Sequence, residues 1–599
     1  MRKLIAVLFI FLLFSSICSV ALAAEYRIAA NKISPELTAA LNESDSVMAM
    51  VQVRDVDHEK VMEDFKSAYP MEYAVYMYAK YGELSTGKVD YSDEVLQRAI
   101  ELKREIYAQA YADNNEAVLE KYIKRSGQSY VSKYSPVAIM ELDFNTAMNL
   151  ARSTDIVSIE EFSVSYATND ELLRDGFNPI PETFIENIEL SNQISRADYV
   201  RDTLGYAGAG VKIGVVESSG LPDATHPYLQ DANIILDPDV SYISDHATRV
   251  VSIIAATDSN GNFVGVAPEA EIYCTMPILP VYFLDSVEWL IDSGVNVINA
   301  SWGAPNPTGE YDSLSAWVDH VAVLHDVHFV VSAGNRGEGD GFITSPGMAY
   351  NAITVGGFNA NRTDNIVTFT KYNETSYQEV QTNGAQKPNL VANCHFGEDD
   401  IYIGTSYAAP QVTGVIAQLC TADSFMKIRQ TAVGAVLMAS AAEKVDAEGN
   451  GYKGDVFAEA YQITPQISEW EGAGILDALW AIQILAKGDE FTYTVNSSGQ
   501  DFIQTIYIDA NANSVIRIAL FWLKRNTTSA HENHINVGGA PLANLDLYVY
   551  DPQGNLICAS TLIYNNYEIV QFAPEVTGNY TVVITGFGEN KEHIGIALW

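Results

Sequence analysis

Cysteine is almost missing from this chain, with five residues in 599. Cys18 lies in the apolar N-terminal run, and Cys274, Cys394, Cys420 and Cys558 are too sparse to build a disulfide scaffold. One or two bridges stay open at this stage, but Cys274 and Cys420 sit inside apolar runs, which predicts buried thiols. Basic residues are scarce too: 35 Lys and Arg face 76 Asp and Glu, a formal charge of −41. Such a surface repels nucleic acid and anionic membranes, so phosphate-backbone binding is excluded as a function. It suits an extracellular or salt-exposed protein, and acidic loops also resemble calcium ligands. Fixed-period repeats and low-complexity tracts are missing. With 48% hydrophobic and 19% charged residues, the chain reads as packed globular structure, and its length calls for several domains.

Beyond the N-terminus no apolar run is long enough to span a membrane. The N-terminus itself has Arg2 and Lys3, an apolar run from Leu4, and Ala21-Leu22-Ala23 before Ala24. That order of charge, apolar core and small-residue exit predicts a secretory signal peptide over 1–23, with a retained anchor as the alternative. The chain left after its removal is expected to be secreted, with no membrane partner.

The texture then changes twice. Residues 24–189 mix strands ("VMAMVQV", "SPVAIMELDF", "DIVSIEEFSV") with helices, the longest over about 96–123, and predict a small α+β unit with a helical insertion. Residues 190–487 alternate short apolar strands, near 211–216, 270–275, 295–301, 328–333 and 352–357, with helices near 284–292, 313–326 and 405–420. Apolar runs such as "VNVINAS" and "VHFVVSA" suit a mostly parallel sheet buried on both faces, an α/β architecture. Residues 488–599 offer only strands punctuated by Gly, Pro and Asn, which predicts an all-β sandwich.

Four residues of the middle region suggest chemistry. In "GTSYAAPQVTGVIAQL", Ser406 stands at a helix N-terminus, where free N–H groups and the helix dipole favour developing negative charge. In "DHATRVVSIIAAT", His246 opens a second helix. In "VVSAGNRG", Asn335 ends an apolar strand beside glycines, which suits a side-chain amide aimed at an oxyanion. "VKIGVVESSG" runs apolar and then stops at Glu217. Taken singly, a serine at a helix start is an N-cap and a histidine an ordinary polar residue; carboxylate, His, Asn and Ser in this order are more.

These segments, with "GVAPEAEIY", "VINASWGAP", "SPGMAYNAITVGG" and "KPNLVAN", resemble the motifs of the subtilase family, in the family's order, over roughly residues 190–440. The resemblance implies a subtilisin-like sheet flanked by helices, with Ser406 as nucleophile, His246 as general base and then acid, Glu217 as the carboxylate that orients the imidazole, and Asn335 as oxyanion donor. It further implies substrate-binding roles for Ser301, Trp302, Gly303, Ser332, Ala333 and Gly334. Residues 47–165 are similar to a subtilase propeptide, an intramolecular chaperone and inhibitor. The C-terminal strands are similar to the jelly-roll domain that follows the catalytic domain in several subtilases.

The chain departs from the family at Glu217, where the family has Asp, and at Ala247 and Arg249, where it expects Gly and small residues. Trp302 stands where a smaller residue is usual, which predicts a hydrophobic or narrowed subsite. No cofactor is implied for the chemistry and no metal ligand is assigned. Structural calcium is left open at "TDSNGNF" (257–263), although the aspartate expected to partner that loop falls at Tyr228. "HENH" (531–534) is an i,i+3 histidine pair read as an ordinary loop. The expected function is a secreted serine endopeptidase made as a zymogen, acting on protein or peptide substrates and inhibited by its own propeptide. The alternatives are a pseudoprotease kept as a peptide- or surface-binding module and, more weakly, an adhesin dominated by its β-domain.

Overall fold

The computed structural model describes residues 29–82, 92–124, 128–162, 180–277, 282–306, 309, 311–335, 343–359, 386–396, 402–442, 444–445, 451–452, 471–488, 490–496, 502–512, 514–524, 544–562, 565–587 and 591–599. The expected signal peptide and the 531–534 histidine pair lie outside these residues.

The N-terminal region contains α1 (Pro35–Glu43), β1 (Val47–Val53), α2 (His58–Ala68), α3 (Pro70–Tyr81), α4 (Asp93–Ile123), β2 (Ser129–Val131), β3 (Val137–Leu142), α5 (Phe144–Ala151) and β4 (Ile156–Glu161). Its sheet runs β2-β3-β1-β4 and is antiparallel. Helices α2 to α4 form the insertion between β1 and β2, and α3 was not expected. Pro70 opens α3 at a position where no helical N–H is needed, and Gly82 closes it in a left-handed conformation (φ 66°).

The middle region contains α6 (Glu182–Ser195), α7 (Ala197–Asp202), β5 (Lys212–Val216), β6 (Asn233–Leu236), α8 (Asp245–Ala255), β7 (Glu271–Thr275), α9 (Phe283–Asp292), β8 (Val297–Ala300), α10 (Ser313–His325), β9 (His328–Ser332), β10 (Ala352–Phe358), β11 (Leu390–Asn393), α11 (Thr405–Ala422), α12 (Gln430–Ser440), a small β12–β13 ladder (Lys444–Val445, Gly451–Tyr452) and α13 (Ala478–Lys487). Seven strands form one parallel sheet in the order β11-β10-β9-β8-β5-β7-β6. The expected strands and helices fall within a few residues of those observed. Helix α6 crosses the boundary expected at 189/190, and its Asn192 amide donates to the Val264 carbonyl, so it packs with the middle region.

One face of the sheet is covered by α8, α11 and α12, and the other by α9 and α10. Met50, Val137 and Ile139 of the N-terminal sheet join the core of the second face. The C-terminal strands β14 (Glu490–Asn496), β15 (Phe502–Ala510), β16 (Ile516–Trp522), β17 (Asn544–Tyr550), β18 (Leu556–Ser560), β19 (Tyr567–Phe572), β20 (Gly578–Phe587) and β21 (Lys591–Leu598) make two antiparallel four-stranded sheets, β14-β21-β16-β19 and β15-β20-β17-β18. Phe521 and Tyr567 belong to the middle region's own core, and the buried Arg517 donates to the Ala441 and Ala473 carbonyls. The C-terminal sheets are therefore welded to the middle region through apolar packing and satisfied backbone acceptors. Cys274, Cys394, Cys420 and Cys558 are all free and buried, as their apolar settings suggested for two of them. Burial, with the Glu217 carboxylate nearby, pushes the Cys274 thiol well above its ordinary range.

Candidate active site

The chain enters the parallel sheet at β5, proceeds to β6 and β7 on one side, and then crosses to β8 and β9 on the other. Order reverses at β5, and in an open α/β sheet the crevice beyond the carboxyl ends at such a reversal is the place for a site. Glu217 follows β5, Ser301 follows β8 and Ala333 to Asn335 follow β9, so the sheet itself gathers these residues at one end.

Glu217 is held by the strand ladder: its N–H donates to the Thr275 carbonyl, and its side chain is buried. Its Oε2 lies 2.8 Å from His246 Nδ1, a length suited to a charge-assisted hydrogen bond. The other carboxylate oxygen, Oε1, is buried without a hydrogen-bond partner among the described residues. His246 occupies the first turn of α8, whose N-cap Ser244 accepts from the Ala247 N–H. The imidazole remains 26% exposed, so its far edge is open to the cleft. Ala247, where the family has glycine, is wholly buried, so the added methyl faces the interior.

Ser406 is the second residue of α11, half-buried. Four residues on, Pro410 has no N–H to give the Ser406 carbonyl. Ser301 Oγ donates to that carbonyl at 2.8 Å instead, and itself accepts from Asn299 Nδ2, while Thr413 Oγ1 donates to Asn299 Oδ1. A side chain beyond β8 thus finishes the first turn of the serine's helix. No hydrogen bond joins Ser406 Oγ to His246 among the described residues.

The loop after β9 is tied to the same turn. Asn335 Oδ1 accepts from the Thr405 N–H at 2.8 Å and from Thr405 Oγ1 at 2.9 Å, and the Gly334 N–H donates to Thr405 Oγ1. Gly334 has φ 103°, a conformation that favours glycine. With Oδ1 engaged, the Asn335 amide nitrogen has no hydrogen-bond partner among the described residues and lies beside Gly404.

The remaining expected substrate-binding residues are set inward. Ser332 and Ala333 are buried, the Ala333 N–H being paired with the Val355 carbonyl. Trp302 is also buried and packs edge-on against Phe283 at 4.8 Å, leaving little indole surface for a subsite. Gly303 is required sterically, because a Cβ there would fall 2.1 Å from Thr344 Oγ1.

At the calcium-like loop, Asp258 accepts from the backbone N–H groups of Asn260 and Asn262 and from both their side-chain amides. Its carboxylate is satisfied within the loop, and no cluster of three metal-ligating side chains occurs among the described residues. In this arrangement the loop does not fit a cation, and no step below is routed through one.

Two neighbours were missed as site residues. Tyr407 packs on the His246 ring, with centroids 5.6 Å apart, and its hydroxyl accepts from Arg249 Nε at 3.1 Å. Only the departure from family pattern at Arg249 signalled anything there.

Comparison with known proteins finds similarity over the middle region. Residues 208–458 match the family model described as the subtilase family. The chain is 28% identical over 274 residues to the major intracellular serine protease of Bacillus subtilis (strain 168), covering 42% of this chain and 78% of that protein. It is 26% identical over 328 residues to subtilisin NAT of Bacillus subtilis subsp. natto, covering 53% and 77% respectively. Among solved structures, a prenylagaramide maturation protease aligns at 20% identity and a TM-score of 0.35, covering 47% of this chain and 98% of that one. Residues 208–458 are thus similar in sequence to the subtilase family, and the middle region that holds them is a parallel sheet flanked by helices.

Proposed function

We propose that the chain is a secreted serine endopeptidase, made as a zymogen, that hydrolyses peptide bonds with Ser406, His246, Glu217 and Asn335. The observation that carries this reading is the 2.8 Å contact between the buried Glu217 carboxylate and His246 Nδ1, at the reversal point of the sheet. A carboxylate there accepts the Nδ1 proton, so Nε2 is left as the base.

Ser406 Oγ attacks the scissile carbonyl carbon while His246 Nε2 takes its proton. Negative charge then collects on the carbonyl oxygen, where the Asn335 amide and a backbone N–H near Ser406 would receive it. Glu217 stabilises the imidazolium. His246 returns the proton to the leaving amine, and water repeats the sequence on the acyl-enzyme, releasing the acid and restoring Ser406. No metal is needed for any of these steps. The N-terminal region, docked on α9 and α10, is the intramolecular partner, and the C-terminal sheets, read as a jelly roll, brace α12.

The rival is a pseudoprotease that retains the groove as a binding module. It is favoured by the missing hydrogen bond between Ser406 and His246, although such bonds are often long before substrate binds. The test expresses wild type and Ser406→Ala and follows both chain cleavage and labelling by a fluorophosphonate. Cleavage and labelling in wild type alone are expected. Two unlabelled, full-length products would leave the pseudoprotease standing and the peptidase refuted.

A further inference from the structure

We infer that Tyr407 is a positioning residue for the imidazole of His246, and that Arg249 fixes Tyr407 in that role. This rests on the triad reading above.

Glu217 grips His246 through Nδ1 alone. One bond at one ring atom fixes a distance but leaves the imidazole free to swing about that bond. The swing matters more here than with aspartate, because glutamate adds a rotatable bond between strand and carboxylate, and a freer side chain has more rotamers to lose. A second constraint must therefore act on the face of the ring.

Tyr407 supplies it. Its ring lies 5.6 Å from that of His246 at 36°. Being next to Ser406, it belongs to the same turn of α11, so any shift of the nucleophile relative to the base must move this contact. Tyr407 is itself immobilised: Phe184 packs edge-on at 5.7 Å, and Phe396 packs at a tilt at 5.6 Å. Its hydroxyl is bonded to Arg249, whose guanidinium lies 4.8 Å over the Tyr402 ring. Arg249 stands three residues after His246 on α8, hence on the same face of that helix. The contacts close a ring, from Ser406 to Tyr407, across to Arg249, along α8 to His246 and back to Tyr407. Both Tyr407 and Arg249 are 5% exposed, so solvent offers little alternative to these partners.

The experiment compares wild type, Tyr407→Leu, Tyr407→Phe and Arg249→Lys in the full chain, reading kcat, KM, melting temperature and the rate of fluorophosphonate labelling. Tyr407→Leu removes the ring, and kcat and labelling should both fall by about 10- to 100-fold with KM within about twofold, as for a misplaced catalytic group. Tyr407→Phe and Arg249→Lys keep the face but loosen it, and should fall between Tyr407→Leu and wild type. Wild-type kcat and labelling in the variants, with only a lowered melting temperature, would mark a purely structural role and overturn the inference. Should Tyr407→Leu fail to fold, the milder pair decides: wild-type values in both overturn it, and a matched drop in kcat and labelling supports it. An unlabelled wild type would instead refute the triad itself, a separate outcome.

Discussion

Lys103 of α4 and Asp326, which ends α10, meet at 2.6 Å with both side chains buried, across the junction between the N-terminal and middle regions. Lys80 reaches the same carboxylate at 2.7 Å, and the Tyr76 hydroxyl donates to it. Arg104 gives its guanidinium hydrogens to the His325 and Val295 carbonyls. Burial by itself would push the Asp326 carboxyl up, but Lys103 and Lys80 outweigh it and hold the group far below the carboxylate range.

Breaking this cluster from the middle-region side takes the Asp326 carboxylate away from two buried ammonium groups, which keep the neutral acceptors of Ile428, Gln430 and Leu324. Asp326→Ala should therefore cost about 3–5 kcal/mol of stability, the usual penalty for removing one side of a buried pair. Chemical denaturation of the full chain measures it. Combining Asp326→Ala with Lys80→Met and Lys103→Met should recover part of the loss. An Asp326→Ala chain as stable as wild type would show that the junction does not depend on this charge. Because the folded-state carboxyl is depressed, its stabilisation is present above the unfolded value of about 3.9 and is lost as the pH falls below it.

Glu288 of α9 titrates in the opposite sense. Burial raises its carboxyl from 4.5 to about 7, although Tyr130, Ser132 and the Lys133 N–H all donate to it from the N-terminal region. Between pH 4.5 and 7 the folded chain keeps a proton that the unfolded chain releases. The contribution is therefore complete below the unfolded value and is lost as the pH rises through 7, a swing of about 3 kcal/mol at 1.36 kcal/mol per unit. Urea midpoints of wild type should fall relative to those of Glu288→Gln between pH 5 and 8. Parallel curves would count against the assignment.

This junction was invisible in the sequence, whereas much of the site was legible there. Strands buried on both faces must be apolar runs, so the polar residue ending each run, Glu217 or Asn335, marks a strand tip. The small residues after Ser406 likewise announce a close-packed helix. Lys80, Lys103 and Arg104, by contrast, carry no signal of burial in the sequence; only tertiary placement against Asp326, more than 200 residues away, makes them interior. The link from Ser301 to Ser406 depends on an N–H that Pro410 lacks, and which side chain replaces it is settled only when β8 and α11 meet.

Asn335 offers a sharper test of the chemistry. Thr405 occupies its Oδ1 with two donors, which leaves the amide nitrogen beside Gly404. Asn335→Ala should lower kcat by on the order of 10²–10³ with little change in KM, a magnitude taken from the corresponding donor in subtilisin. Thr405→Val should give a smaller loss of the same kind, and Thr405→Ser, which keeps the hydroxyl, should restore it. A rise in KM at constant kcat would instead place Asn335 in ground-state binding.

Glu217 stands where the resemblance to subtilases implies aspartate, and its two oxygens predict what replacing it will do. Oε2 holds His246, whereas Oε1 is buried with no partner among the described residues, so only the contact through Oε2 can be lost. Glu217→Asp draws the carboxylate back by about 1.5 Å. From 2.8 Å, that exceeds hydrogen-bond reach unless β5 or α8 moves. Turnover should fall by about 10- to 100-fold with KM nearly unchanged. Glu217→Gln keeps the length but presents an amide that can hold the imidazole in the wrong tautomer. The loss should approach 10⁴, on the order of that for the equivalent change in a chymotrypsin-type triad. Steady-state kinetics on one peptide substrate distinguish the outcomes. Equal or higher turnover in Glu217→Asp would mean that the strand end has not adapted to glutamate, and that the 2.8 Å contact is incidental to the rate.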